Sequence, residues 1–353
     1  MKDVLFVGWV NYGKLPVDGE TTKNQYIIAE LEKYCKVHVL DFFQKSKHPW
    51  VYLQAIWTFV MYPKATIVFS TSASNVYKYF SLMYRYGIKR DIIHWVVGGN
   101  FATHVKLHTY GKNCVEVFNS LRLNLVQCHG MIDELKEAGV NNGKFVSNFK
   151  PIKYYPDLEA CHKIRASYGK MRFVFVSRIM LEKGCGYILQ AAKLLNDQGY
   201  MDKYTIDFYG KVDPGYKIEF EKKIDSLENV NYHGLLNLKS NAGYDDLATY
   251  HAMLFPSFWA GEGFAGVFID AFIAGLPVLA SDWAHNAESI IDGKTGVIYP
   301  THNVEALRKV ICDCINGKIQ LDAMSKNARE EAPKYQADNV MTESYIRSIG
   351  LID

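Results

Sequence analysis

The chain has 353 residues, 49% of them hydrophobic and 22% charged, which is enough apolar material for two sizeable cores. A net charge of +3 is too small to argue for nucleic acid, and no zinc-finger, RNP or basic-run motif is present. The seven cysteines are scattered. The only close pair, Cys312-x-Cys314, has no second pair to complete a zinc site, so reduced thiols in a reducing compartment are expected and no metal is.

Met1-Lys2-Asp3 leads directly into a strand pattern, so no signal peptide is expected. No apolar run reaches about 18 residues without a charge, so no transmembrane helix is expected either, and the location is read as cytoplasmic. Residues 3–10 (DVLFVGWV) read as a buried strand, followed by the loop NYGKLPVDGETT, a helix over about 22–34 and a strand over 36–41. This βαβ opening predicts a parallel sheet. No G-x-G-x-x-G follows the first strand, which argues against a dinucleotide-binding oxidoreductase.

Residues 45–66 are aromatic-rich with basic ends. Their helical middle has two readings. One is core. The other is an interfacial patch at the inner face of a membrane, with Trp50, Tyr52, Trp57 and Tyr62 near headgroups and Lys45, Lys47 and Lys64 on anionic lipid. A second aromatic and basic run, YKYFSLMYRYGIKR (77–90), adds to the latter. Strands are expected over 65–70, 92–97, 123–127 and 144–146. The strand at 92–97 ends in Gly98-Gly99-Asn100, and His104 follows, either as a surface residue or as part of a site. A linker is expected over 150–170, with Pro151 and Pro156 in it.

Residues 171–177 (MRFVFVS) read as a strand, followed by Arg178, Glu182-Lys183-Gly184 and a helix to about residue 196. Two cations between a strand end and a helix suit an anion, although a plain surface pair also explains them. A strand over 204–209 ends at Gly210, and Asn231-Tyr232-His233-Gly234 follow another. In 255–300, Gly261, Gly263 and Gly266 form a loop whose backbone can approach a ligand closely. A helix from Gly266 to Gly275 is apolar nearly all round, so it should be buried. Asp270 is its only charge, and a buried lone carboxylate is costly. It meets a buried cation, caps a neighbouring element, or holds a polar ligand below the helix N-terminus. Glu262 sits in the loop at that mouth. Helices near 303–316 and 336–349 finish the chain.

The stretch Glu262-x7-Asp270 followed by Gly275-Leu276-Pro277-Val278, with GEGF before it and AGLPVLASD around it, resembles the signature of the retaining glycosyltransferases of family 4. Asp270 stands where that family usually has Glu. Ser177-Arg178-x4-Lys183-Gly184 after the strand resembles its motif of a strand, G-R and a following K-G, with serine for glycine, and Glu288-x-Ile-x-Asp292-Gly293-x-x-Gly296 resembles its closing motif. Gly99 and its neighbours stand where many relatives have a histidine.

The resemblance implies an α/β GT-B fold: two Rossmann-like doubly wound domains facing a central cleft. An acceptor domain is expected over 1–155 and a nucleotide-sugar domain over 165–335. A C-terminal helix over 336–353 would cross back to the first domain. It also implies transfer of a hexose-type sugar, with retention, from a UDP-sugar or related donor to a hydroxyl acceptor such as a glycan or lipid-linked glycan. No cofactor or metal would be required. Arg178 and Lys183, with the backbone of Gly266 and Val267, would hold the diphosphate. Asp270 would take the ribose, Glu262 the sugar hydroxyls, and Gly263 and Phe264 would shape the pocket. Leu235 and Gly210 would lie by the nucleotide, and Gly19, Gly99 and His104 on the acceptor or sugar side. Two alternatives stay open. A nucleotide-sugar epimerase of the same fold would turn over donor without acceptor. A non-catalytic nucleotide-sugar-binding subunit would bind donor without transfer.

Overall fold

Short runs of β-branched and aromatic residues alternate with helices along the chain, and the alternation builds two all-parallel sheets. The computed structural model describes residues 1–43 and 50–353. The first sheet comprises β1 (Asp3–Gly8), β2 (Lys36–Asp41), β3 (Thr66–Thr71), β4 (Ile92–Val96), β5 (Leu123–Val126) and β6 (Gly143–Phe145), in the order β2-β1-β3-β4-β5-β6. The second comprises β7 (Met171–Val176), β8 (Tyr204–Tyr209), β9 (Val230–Tyr232), β10 (Ala252–Phe255), β11 (Val278–Ser281) and β12 (Gly296–Tyr299), in the order β12-β11-β10-β7-β8-β9. The strand order reverses direction between β1 and β3 in one sheet and between β7 and β10 in the other. At such a point the loops beyond the strand ends part and leave a crevice, where open α/β sheets bind ligands.

Each sheet belongs to its own compact unit: Met1–Pro151 with Tyr335–Asp353, and Ile152–Lys334. In the first unit Val4, Phe6, Ile27, Ile28 and Leu31 share a core with Ala337, Met341, Ile346 and Leu351. The Ala337 N–H donates to the Lys150 carbonyl at 2.9 Å, and Arg122 donates to the carbonyls of Ile349 and Gly350. In the second unit Phe173, Phe175, Ile206, Phe208 and Leu254 pack under Ile188, Leu189, Leu307 and Ile311.

Several expected bounds shift for local reasons. Helix α1 spans Gly19–Leu31, earlier than expected, because Asp18 accepts the Thr21 N–H and Thr21 bonds back in a capping box. Residues 336–349 form two short helices, Ala337–Val340 and Glu343–Ser348. Met341 leaves the helical region at ψ 46°, and Thr342 Oγ1 accepts the Tyr345 N–H to start the second. The expected linker holds a helix, Leu158–Ser167, capped by Asp157, and an unanticipated helix spans Leu321–Glu331. Helix α2 (Trp50–Met61) buries only Val51, Ala55 and Thr58, so most of it is not core. Lys45 and Lys47 lie outside the described residues.

Candidate functional site

The loops that follow β7 and β10 flank the crevice of the second sheet, and the chain ties them together. The Phe258 N–H donates to the Glu182 carbonyl at 2.8 Å. Gly184 has φ +77°, and a Cβ there would stand 2.1 Å from the Pro256 carbonyl oxygen, so only glycine lets the two loops meet. The contact brings Lys183 to Glu262, 79 residues later in the chain, with Lys183 Nζ 2.6 Å from Glu262 Oε2. Both side chains are 7% exposed. Ser257 Oγ donates to the same Glu262 oxygen at 2.6 Å, and its own carbonyl accepts from Ser281 Oγ on β11.

Two cations lie over the ring of Trp259: Lys183 Nζ is 4.6 Å from its centroid and Arg178 Cζ is 5.1 Å. Trp259 is fixed in turn by Trp283, whose indole N–H donates to its carbonyl at 2.8 Å. Burial pulls the Lys183 ammonium below its ordinary pKa, and Arg178 adds to the fall, while Glu262 opposes it. Arg178 is exposed. The site therefore holds one neutralised, deeply seated cation and one outward-facing cation at the mouth of a crevice. A bond to Glu262 leaves Lys183 further N–H donors. This arrangement can hold an anion such as a diphosphate, with Arg178 supplying the uncompensated positive charge.

The helix Val267–Ile273 follows, with Gly266 at its N-cap. Asp270 is 4% exposed and accepts a hydrogen bond from Tyr244 at 2.7 Å. Tyr244 was not legible as a site residue, because nothing local links a tyrosine to a carboxylate 26 positions later. Gly263, Phe264 and Val267 are half-buried around the same loop, and the Phe264 ring lies 6.2 Å from that of Phe268. Leu235 stands apart from this cluster in its exposure, at 77%. Gly210 has a structural role: at φ +149°, a Cβ would overlap the Ser177 carbonyl oxygen at 1.7 Å.

In the first unit Gly19 opens α1 with free space where a Cβ would go, so no tight turn requires it. His104 lies on the helix Phe101–Lys106 beyond β4 and Gly99, and Asn100 Nδ2 donates to its Nε2 at 2.9 Å. A cavity of about 300 Å³ beside it is lined by Ser72, Ser74, Asn100, His104 and Tyr110. In α1 two residues stand out that sequence reasoning passed over. Glu20 Oε1 and Lys23 Nζ are sealed from solvent, with no hydrogen-bond partner among the described residues. Burial moves both pKa values to about 7, the carboxyl upward and the ammonium downward.

Residues 160–331, just under half of the chain, match the family described as glycosyl transferases group 1. Over 217 residues the chain is 30% identical to an "uncharacterized 41.2 kDa protein in cps region" of Klebsiella pneumoniae, covering 60% of this chain and 56% of that protein. Over 190 residues it is 23% identical to the capsular polysaccharide biosynthesis glycosyltransferase CapM of Staphylococcus aureus, covering 52% and 48%. The chain thus spans about half the length of the curated relatives it matches. Structures of HepE from Anabaena, solved with UDP and with UDP-glucose, superpose over 100% of both chains with a TM-score of 0.74 at 16% identity. By sequence, residues 160–331 match glycosyl transferases group 1, and by fold the chain carries the two Rossmann-like parallel sheets of GT-B glycosyltransferases.

Proposed function

We propose that the protein is a retaining glycosyltransferase. It would move a hexose-type sugar from a UDP-sugar to a hydroxyl acceptor in the synthesis of a cell-surface polysaccharide or glycan. The observation that carries this reading is the Arg178–Trp259–Lys183–Glu262 cluster at the strand-order reversal of the second sheet, inside the region that matches glycosyl transferases group 1. The cps-region and capsular relatives, and a neighbour of like fold solved with UDP-glucose, support the donor and pathway class.

In this reading Arg178 and Lys183 meet the donor diphosphate, with the backbone of Gly266 and Val267. They stabilise charge as the bond between the sugar and the phosphate breaks. Glu262 fixes Lys183 and turns its remaining acceptor capacity to sugar hydroxyls, while Asp270, held by Tyr244, takes the ribose. Gly263 and Phe264 shape the sugar pocket. The acceptor binds the first unit, where the cavity beside His104 offers hydroxyl and imidazole groups. The acceptor oxygen attacks the anomeric carbon on the face the phosphate leaves, and the departing phosphate oxygen takes the acceptor proton. No pair of flanking carboxylates is needed, unlike in glycoside hydrolysis. The seven free cysteines suit a reducing compartment.

The test is UDP release from a panel of UDP-sugars and GDP-sugars, with and without glycan acceptors, in magnesium and in EDTA. The reading expects acceptor-dependent release from one UDP-sugar, unchanged by EDTA, and an α-linked product from an α-linked donor. Acceptor-independent conversion of the donor sugar would replace it with the epimerase reading. Donor binding without turnover would replace it with the non-catalytic reading.

A further inference from the structure

Helix α2 is built the wrong way round for a water-facing helix. Its buried residues are small or short, Val51, Ala55 and Thr58, and its outer face is large and apolar. Trp50 is 75% exposed, Trp57 66%, Val60 68%, Ile56 62% and Leu53 58%. An ordinary surface helix shows charged and polar residues there. A contiguous exposed stripe of this size marks an interaction surface.

The stripe continues past the helix. Arg90 donates to the carbonyls of Phe59 and Tyr62 at 3.1 and 2.9 Å, pinning the turn after α3 (Ala73–Arg85) to the end of α2. That turn exposes Tyr86 at 73% and Ile88 at 54%.

Charge decides the partner. Residues 42–90 contain no Asp or Glu at all, but seven Lys and Arg. At the chain-wide share of 37 acids in 353 residues, a stretch of this length would hold about five. The chain is +3 overall, so without these seven cations the rest is net −4. Lys64, Lys78, Arg85 and Lys89, all in this acid-free segment, are exposed. A second copy of the chain would set this acid-free surface against itself across a two-fold axis, cation facing cation. An anionic lipid surface meets both halves of the pattern. Tryptophan and tyrosine seat at the headgroup level, and lysine and arginine meet the negative headgroups. At 12 residues α2 is too short to span a bilayer, and no helix among the described residues is long and apolar enough to do so.

We propose that α2 and the turn at 86–90 dock the protein in the plane of an anionic phospholipid membrane, with Trp50, Leu53, Trp57 and Val60 inserted and Lys64 and Lys89 at the headgroups. The assignment is independent of the donor chemistry. It is tested by flotation with vesicles of phosphatidylcholine and phosphatidylglycerol (70:30) at 0.1 M NaCl, beside vesicles of phosphatidylcholine alone, together with the oligomeric state in solution. The full chain is expected to float with the anionic vesicles, at least tenfold more weakly with neutral ones, and to be released by 1 M NaCl. Leu53→Glu with Trp57→Glu should abolish flotation, and Lys64→Glu with Lys89→Glu should weaken it several-fold. All four positions are exposed, so the variants should keep the wild-type melting temperature and any nucleotide-induced shift. Absence of flotation would overturn the proposal, as would binding that survives Leu53→Glu with Trp57→Glu. A dimer dissolved by that variant, with no vesicle binding by the wild type, would assign the stripe to a protein interface instead.

Discussion

Lys183 and Glu262 pair at 2.6 Å in a place where both side chains are 7% exposed. Replacing either partner strands the other, and an unpaired buried charge costs about 3–5 kcal/mol. Lys183→Met is therefore expected to lower the melting temperature of its unit by about 10 °C. The double replacement Lys183→Met with Glu262→Leu should return most of that loss, as thermal denaturation of the three proteins will show. Lys183→Ala should also lower acceptor-dependent transfer by about 100-fold or more if the ammonium stabilises the leaving diphosphate. Unchanged turnover would remove that role. The two residues were legible one at a time, from motifs that resemble a known signature. Their 2.6 Å pairing was not, because it depends on which strands become neighbours. Glu20 and Lys23 were invisible for a related reason: on paper they are two charges on an exposed-looking helix start, and only the folded chain seals their ends from solvent.

At the scale of elements, the strands were the most legible, since short β-branched and aromatic runs bounded by turn residues leave few alternatives. The helices were less so. Thr342 lies inside a continuous helical pattern, so the sequence shows one C-terminal helix where the fold has two, and the Asp157 cap sits in a stretch that reads as linker. Helix α2 was ambiguous because an apolar helix reads the same whether it is buried or docked, and only Val51, Ala55 and Thr58 turn inward. The loops that meet at Gly184 make their own prediction. Gly184 lets the loop after β7 touch the end of β10, so Gly184→Ala pushes a methyl into the Pro256 carbonyl at a strained φ. The expected result is a loss of several degrees in melting temperature and a displaced Lys183. Nucleotide affinity should then fall at least tenfold even where the protein remains folded, as calorimetric titration will measure.

At the scale of the whole molecule, the two parallel sheets follow from the βα alternation, and the second has the strand order that puts its ligand crevice between β7 and β10. The membership of Tyr335–Asp353 in the first unit was expected only through the resemblance to a known fold. Nothing in the composition of those residues announces it. The account rests on a nucleoside diphosphate bound by Arg178 and Lys183 at that crevice. The measurement that tests it most directly is a thermal-shift titration with UDP and GDP, on the wild type and on Arg178→Ala. Arg178 is exposed, so its loss should leave the unliganded melting temperature unchanged. The account predicts that UDP at 100 times its dissociation constant adds about 2.7 kcal/mol of stability, a shift of several degrees, and that Arg178→Ala loses most of it. No shift with either nucleotide, or a UDP shift that Arg178→Ala leaves intact, would contradict it.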